Sequence, residues 1–226
     1  MNSSDQFWRG VRAELPLVFG VVPFGMIYGV LALNAGLSVA QAQGMSSIVF
    51  AGSSQFITTQ LVQSAAPGLI IVLTILVVNL RHALYSASLA PHVQRLPLRW
   101  KLILSYLLTD ESYAPTISNY EEPGEVAHKH WFFLGAGLTL WSGWQLSTAA
   151  GITLGTVVPE TWSLDFTLAL TFIALVVPRL RDRPSLASAL IAGAVALAGF
   201  FLPYKLGILA AALSGILAGT LLEKRR

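Results

Sequence analysis

Apolar stretches alternate with short polar segments along the whole chain. They cover about residues 15–33, 44–65, 69–89, 100–117, 131–157, 164–177, 185–201 and 204–222. A membrane-spanning α-helix needs about 20 such residues. The pattern therefore predicts an all-α, polytopic membrane helix bundle of about eight spans, with seven as the alternative. We predict one transmembrane domain over residues 1–226, with a cytoplasmic N-terminal arm at 1–14 and a polar loop at 118–129.

Some of these spans contain residues that interrupt a regular helix. Pro23 and Gly25 lie inside span 1 and predict a kink or a locally unwound turn. Pro115 lies inside span 4 and predicts a disturbed helix there. Span 8 carries Gly215 and Gly219 at a spacing of four, which indicates a closely packed helix pair.

The centre of span 2 holds polar residues, although the middle of a membrane span is normally apolar. It reads Phe50-Ala51-Gly52-Ser53-Ser54-Gln55-Phe56. Polar groups in the bilayer core need partners within the protein, so they commonly face a bundle interior or a water-filled path. We interpret this stretch as part of a transport pathway for a small solute. The alternative is that Gly52 and the serines only allow close helix packing.

Spans 3 and 4 bring charged and titratable residues to a similar depth. Asn79, Arg81 and His82 follow an almost pure hydrocarbon run in span 3. An arginine there is costly without a partner or water. Asp110 and Glu111 lie in span 4. Arg81, His82, Asp110 and Glu111 are our candidates for proton coupling or gating. The alternatives are that the two acids are solvated at the interface, or that one of them neutralises Arg81.

Span 5 has a polar centre of its own, Trp141-Ser142-Gly143-Trp144-Gln145. Its first three residues are similar to Phe50-Ala51-Gly52, and a glutamine follows in both places. If span 2 corresponds to span 5, spans 1–3 and 4–6 form an inverted repeat, an arrangement common among secondary transporters. Both spans are then predicted to be broken helices. Trp141 and Gln145 join Phe50, Gly52, Ser53, Ser54, Gln55 and Asn79 as candidate substrate-binding residues.

The composition agrees with a membrane protein. The chain is 54% hydrophobic and 11% charged, whereas soluble domains carry about 25% charged residues. With both termini inside, nine of the 14 Lys and Arg residues fall on the cytoplasmic side and four outside. The four outside residues are Lys205 and the three of the basic loop at 95–101, and that loop does not fit this orientation. The net charge of +3 therefore indicates basic cytoplasmic loops, and no surface suited to nucleic acid is evident.

Enzyme classes find little support in the sequence. There is no cysteine, which excludes disulfides and thiol catalysis. The chain has no G-x-S-x-G, no H-E-x-x-H and no phosphate-binding loop, so we predict no cofactor and no metal site. An intramembrane hydrolase using Ser53 and His82 is a minor alternative, and a non-transporting scaffold subunit is another.

Several motifs together resemble the AzlC family, the large subunit of prokaryotic branched-chain amino-acid exporters. The resemblance covers nearly the whole chain. It rests on Pro23-Phe24-Gly25 with Gly29, Gly36-Leu37-Ser38, Phe50-Ala51-Gly52-Ser53-Ser54-Gln55-Phe56, Asn79-Leu80-Arg81-His82-Ala83-Leu84-Tyr85, Thr109-Asp110-Glu111-Ser112-Tyr113, Leu164-Asp165-Phe166 and Phe172-Ile173-Ala174-Leu175. The stretches at 50–56 and 79–85 are the most specific in combination.

The resemblance implies a multi-pass permease of the prokaryotic cytoplasmic (inner) membrane. It would export L-valine and related branched-chain amino acids, with methionine as a further candidate, and would work with a small membrane subunit of the AzlD type. From the residues themselves we expect an unwound helix end near Gly52 to bind the substrate carboxylate. Asn79 and Gln55 would orient the polar end, and Phe50, Phe56 and Trp141 would hold the side chain. Proton coupling is our preferred energy source.

Overall fold

The described part of the chain is built from α-helices. The computed structural model describes residues 2–122, 127–155, 177, 180, 182–203 and 206–223, and none of these lies in a β-strand. The helices are α1 Ser3–Asn34, α2 Val39–Val49, α3 Gly52–Gln63, α4 Gly68–Val78, α5 Leu80–Val93, α6 Leu98–Tyr106, α7 Asp110–Glu121, α8 Lys129–Gly155, α9 Arg183–Ala198 and α10 Leu206–Glu223. The predicted all-α class is confirmed.

Within the described residues, three helical segments are long and apolar enough to cross a membrane. They are α1, the segment Gly68–Val93 that comprises α4 and α5, and α10. The chain also divides into two compact units. The first unit contains residues 1–55 and 79–158, and the second contains residues 56–78 and 159–226. The candidate site residues named above lie in the first unit, with the exception of Phe56, which is the first residue of the second.

The first unit is built on a parallel pair of long helices, α1 and α8, which pack along most of their length. Glycines from both helices form the contact. Gly10 lies against the backbone of Phe132, and Gly151 lies against the backbone of Met26. Because residue numbers rise together along the two helices, they run in the same direction. Small residues allow this close backbone approach, which is the usual way that membrane helices associate.

The locally unwound turn expected near Pro23 does not form, because α1 is continuous from Ser3 to Asn34, and the alternative of a kink stays a prediction. Pro16 and Pro23 are both exposed. Each removes one backbone hydrogen bond and leaves the helix otherwise intact. Contacts with α8 on both sides of Pro23 hold the helix together. The polar arm at 1–14 is also largely helical, since α1 begins at Ser3.

Three spans of the chain are each divided into two shorter helices. The pairs are α2 with α3, α4 with α5, and α6 with α7. Each pair covers about 25 residues, close to the length that one membrane crossing needs. Each pair overlaps one of the predicted spans 2, 3 and 4, with the break near its middle. The predicted break beside Gly52 is confirmed.

Other predicted interruptions are wrong or lie outside the described residues. Span 5 is not broken, because α8 runs through Trp141 and Gln145 to Gly155. In span 4 the break precedes Asp110, and α7 continues through Pro115. The polar loop predicted at 118–129 begins later, since α7 ends at Glu121. Span 6, at 164–177, lies almost wholly outside the described residues.

The second unit contains the predicted close packing of α9 and α10. A Cβ on Gly207 would collide with Gly199, so the two backbones touch there. A Cβ on Gly215 would lie 3.0 Å from the Cβ of Ala192, and the Ser188 hydroxyl donates to the Gly215 carbonyl at 2.8 Å. A hydroxyl that bonds across two helices and a small residue opposite it are typical of membrane helix pairs.

We expect Gly29→Ala to destabilise the first unit while Gly20→Ala does not. A Cβ at Gly29 would lie 2.5 Å from the Thr148 carbonyl oxygen, whereas nothing lies within 4 Å of one at Gly20. Overpacking of this kind costs about 1–3 kcal/mol. Alanine at Gly20 gains helix propensity worth up to about 1 kcal/mol. Thermal unfolding of the purified variants in detergent tests this. Equal melting temperatures for the two variants would contradict it.

Candidate functional site

Polar side chains from three helix beginnings meet in the first unit. Ser53 and Ser54 lie in the first turn of α3, Arg81 lies in the first turn of α5, and Asp110 is the first residue of α7. Asn79 lies between α4 and α5. We call these five residues the Arg81 cluster. Each of the three interrupted spans thus contributes the start of its second helix.

Arg81 is the centre of this cluster. Its Nη1 donates to Asp110 Oδ2 at 2.6 Å, and its Nη2 donates to Ser53 Oγ at 2.6 Å. The Arg81 and Asp110 side chains are 29% and 13% exposed. Charge-assisted bonds of this length are the strong kind. The ion pair with Asp110 is the neutralisation of Arg81 that the sequence left open as one alternative.

Ser54 and Asn79 form the second bond of the cluster. The Ser54 hydroxyl, which is fully buried, donates to Asn79 Oδ1 at 2.7 Å. Asn79 has backbone angles outside the helical range, and its carbonyl accepts from the His82 N–H at 2.9 Å. The break at Asn79 therefore starts α5 and presents an amide to α3 at the same point.

The other two breaks have local causes as well. Phe50 ends α2 with φ +30°, a left-handed conformation that is rare for a bulky residue. Its ring is buried and lies 6.1 Å from the ring of Tyr106. Thr109 caps α7 by a reciprocal pair of bonds with Ser112. Such a capping box is a strong start signal, and it sets Asp110 in the first turn.

Three buried polar atoms at the cluster have no hydrogen-bond partner among the described residues. They are Arg81 Nε, His82 Nε2 and Asp110 Oδ1. Buried polar atoms are normally satisfied, and exceptions often mark a functional site. The ion pair of Arg81 and Asp110 thus keeps one guanidinium donor and one carboxylate acceptor without a partner among the described residues. This arrangement suits a ligand that carries both an acidic and a basic group.

Aromatic residues lie next to the cluster. Trp141 Nε1 donates to the Tyr106 hydroxyl at 2.7 Å, and that hydroxyl donates to the Ser47 carbonyl. Trp144 Nε1 donates to Gln55 Oε1 at 3.0 Å. A Cβ at Gly52 would lie 3.0 Å from the Trp144 ring. The start of α3 therefore fits tightly against α8.

Gln145 belongs to a separate polar group. It accepts from Gln43 at 2.8 Å and from the Ser47 hydroxyl at 2.9 Å, and it donates to the Ser46 carbonyl at 3.1 Å. Ser46 also bonds to Thr148 at 3.1 Å. These bonds tie α2 to α8. The structure thus brings Ser53, Ser54, Asn79, Arg81 and Asp110 together, while Gln145 has partners of its own.

The geometry gives the hydrolase alternative no support. A serine nucleophile needs a base within hydrogen-bond reach. The Ser53 hydroxyl instead accepts from Arg81, and His82 Nε2 has no partner in the described part of the chain.

Sequence reasoning missed two residues near the site. Tyr106 bridges Phe50 and Trp141. Glu14 falls in the predicted cytoplasmic N-terminal arm, yet it is fully buried. The available signal was its spacing of four from Gly10 and eight from Gln6, which places all three on one helix face.

Comparison with known proteins identifies the family. The family model described as AzlC protein matches residues 16–158, which include the whole Arg81 cluster. The chain belongs to the AzlC family. An uncharacterised membrane protein of Archaeoglobus fulgidus is 34% identical to this AzlC-family chain over 95% of its length and 94% of the relative's.

Two further relatives carry descriptive names. The inner membrane protein YgaZ of Escherichia coli is 28% identical over 96% of this chain and 89% of the relative. The branched-chain amino acid transport protein AzlC of Bacillus subtilis is 29% identical over 77% of this chain and 70% of the relative. No solved structure matches this AzlC-family chain significantly.

We expect Asp110→Asn to destabilise the protein more than Glu122→Gln. Both changes remove the acid of an ion pair, but the Arg9–Glu122 pair is 35% and 49% exposed. Exposed pairs contribute at most about 1 kcal/mol. Leaving the less exposed Arg81 without its acid should cost about 1–3 kcal/mol. Melting temperatures in detergent measure both. If the double variant Arg81→Gln/Asp110→Asn is no more stable than Asp110→Asn, the unpaired charge is not the cause.

Proposed function

We propose that this chain is the large subunit of a secondary transporter that exports branched-chain amino acids, L-valine among them and methionine as a further candidate, across the prokaryotic inner membrane. It would work with a small membrane subunit of the AzlD type and be driven by protons. The family membership and the name of the Bacillus subtilis relative support an amino-acid substrate. The AzlD-type partner is inferred from the family resemblance.

The Arg81 cluster is the observation that carries the proposal. An α-amino acid has a carboxylate and an ammonium group a few bonds apart. Arg81 Nε and Asp110 Oδ1 offer a matching donor and acceptor. The starts of α3, α5 and α7 add their positive dipole ends, which favour a carboxylate. Interrupted helices whose ends face substrate are a common design of secondary transporters.

The aromatic residues beside the cluster would hold the apolar side chain. Phe50 and Trp141 both contact Tyr106, so the three rings form one group. An apolar lining with few fixed polar groups is typical of small-molecule sites. Such a lining selects by size and shape, which suits branched aliphatic side chains.

The directions of the helices support alternating spans. α1 and α8 are parallel, so the chain between them must cross the membrane an odd number of times. The three interrupted spans provide three crossings. α7 runs opposite to α1, since Arg9 pairs with Glu122 while Glu14 interacts with Glu111. This order supports the first five spans of the eight-span proposal, with the N-terminus inside by the distribution of basic residues.

We expect cells that carry both subunits to lose valine faster than cells that lack them after loading with a valine-containing dipeptide. Ser53→Ala should slow this export about tenfold, because one bond to a charged group is lost. Ser64→Ala is the control, since Ser64 is exposed at the end of the same helix. Timed measurements of intracellular valine give the rates.

Equal valine loss with and without the two subunits would overturn export of valine. Equal export rates for Ser53→Ala and Ser64→Ala would show that the Arg81 cluster is not part of the substrate site, whatever the substrate.

A further inference from the structure

A carboxyl group with no hydrogen-bond donor lies inside the first unit. Glu14 of α1 is 0% exposed, and neither of its carboxyl oxygens has a hydrogen-bond partner among the described residues. Burying an ionised carboxylate without a partner is very costly, so such a group takes up a proton or a cation instead. Nothing in the proposed substrate site uses Glu14.

The helices that pack against α1 bring a second acid to Glu14, and within the described residues they bring no basic side chain close to it. α1 packs against α8, α7 and α2. The Glu111 charge on α7 acts on Glu14. α2 has no titratable residue, and α8 has none between Phe132 and Gly155. The basic residues Lys129 and His130 are at the start of α8, where Lys129 donates to the carbonyls of Tyr120 and Glu122. Arg12 of α1 itself is exposed.

Glu111 is subject to opposing influences: burial and the neighbouring Asp110 charge disfavour its ionised form, whereas several other groups favour it. It lies in the first turn of α7, where the helix dipole favours a negative charge. It interacts with the Thr109 hydroxyl and with its own backbone N–H, and the Arg81 charge acts on it. Glu14 has none of these. Two neighbouring carboxyls in a low dielectric do not both ionise, so one proton resides on the pair.

We propose that Glu14 is the residue that binds and releases the coupling proton of this transporter, with Glu111 as the second carboxyl of the pair. This assignment rests on the proposed function. The assignment also separates the role of Glu14 from that of Asp110, because the Asp110 carboxylate forms an ion pair with the Arg81 guanidinium.

The position of Glu111 links the proton to the Arg81 cluster. Glu111 follows Asp110 in the first turn of α7. When Glu14 gives its proton to water, a new negative charge appears beside Glu111. Repulsion then acts on the turn that holds Asp110 against Arg81. When Glu14 takes up a proton, that repulsion disappears. Protonation can thus alter the hold of α7 on the proposed substrate site.

Further polar groups continue along α7 away from Glu111. Thr116, Asn119 and Tyr120 are buried, and the Thr116 hydroxyl, the Asn119 amide and the Tyr120 hydroxyl have no hydrogen-bond partner within the described residues. They lead toward the C-terminal end of α7, which is exposed at Glu121. Buried polar groups without a protein partner commonly bind ordered water, and such waters would relay protons between the interior and the surface.

The test compares Glu14→Gln, Glu14→Asp and the control Glu122→Gln in proteoliposomes with both subunits. Glu14→Gln should abolish the stimulation of valine flux by a pH gradient and still exchange labelled for unlabelled valine without one. Glu14→Asp should keep part of the stimulation. Glu122→Gln should match the wild type, because its ion pair is exposed. Stimulation that persists in Glu14→Gln, or that comes from a sodium gradient instead, would overturn the proposal.

A second measurement does not depend on transport. Infrared spectra of the purified chain at neutral pH should show the C=O stretch of a protonated carboxylic acid, and Glu14→Gln should lack it. If the wild type lacks this band, or if the band persists in Glu14→Gln, the assignment is wrong. If the band behaves as expected but no amino acid exchanges, the proposed substrate is wrong while Glu14 remains the protonated group.

Discussion

The charge of Arg81 determines the arrangement of the first unit. A guanidinium at this depth has to be neutralised and hydrogen-bonded, and it also lies at a helix start, where the dipole disfavours a cation. Asp110 supplies the opposite charge and Ser53 an acceptor. Both come from the starts of other helices. The interruptions of three spans are therefore one feature: each break provides a group that the others require.

The parallel pair of α1 and α8 is a rigid support against which the interrupted helices pack. Glycines on both sides bring the two backbones into contact, which leaves little room for sliding. α8 then offers Trp144 to the start of α3 and Gln145 to α2. Broken helices carry unsatisfied backbone ends and few regular contacts. A continuous partner therefore compensates for the stability that the breaks cost.

The features of this fold that depend on neighbouring residues in the chain are predicted well from the sequence. The polar stretch at 50–56 and the break beside Gly52 follow from the cost of polar groups in hydrocarbon. Pro23 does not unwind α1 and Pro115 does not end α7, for one reason. Proline raises the cost of a helix locally, but contacts with neighbouring helices decide whether the helix continues. Trp141 and Gln145 were predicted to break α8, yet their partners on other helices satisfy them within a regular helix.

Glu14 shows why the pattern of polar and apolar residues does not predict burial at the boundary between a polar arm and an apolar span. Glu14 follows Arg9 and Arg12 in the sequence, and such a charged stretch is normally exposed to solvent. The sequence around a residue shows how many charges are near it along the chain, but not which helix face it occupies in the fold. Burial depends instead on which face of α1 meets α7 and α8. That face carries Gln6, Gly10 and Glu14, and it is fixed by glycine contacts more than a hundred residues away in the chain. A buried acid is therefore recognised only once the helix pair is known.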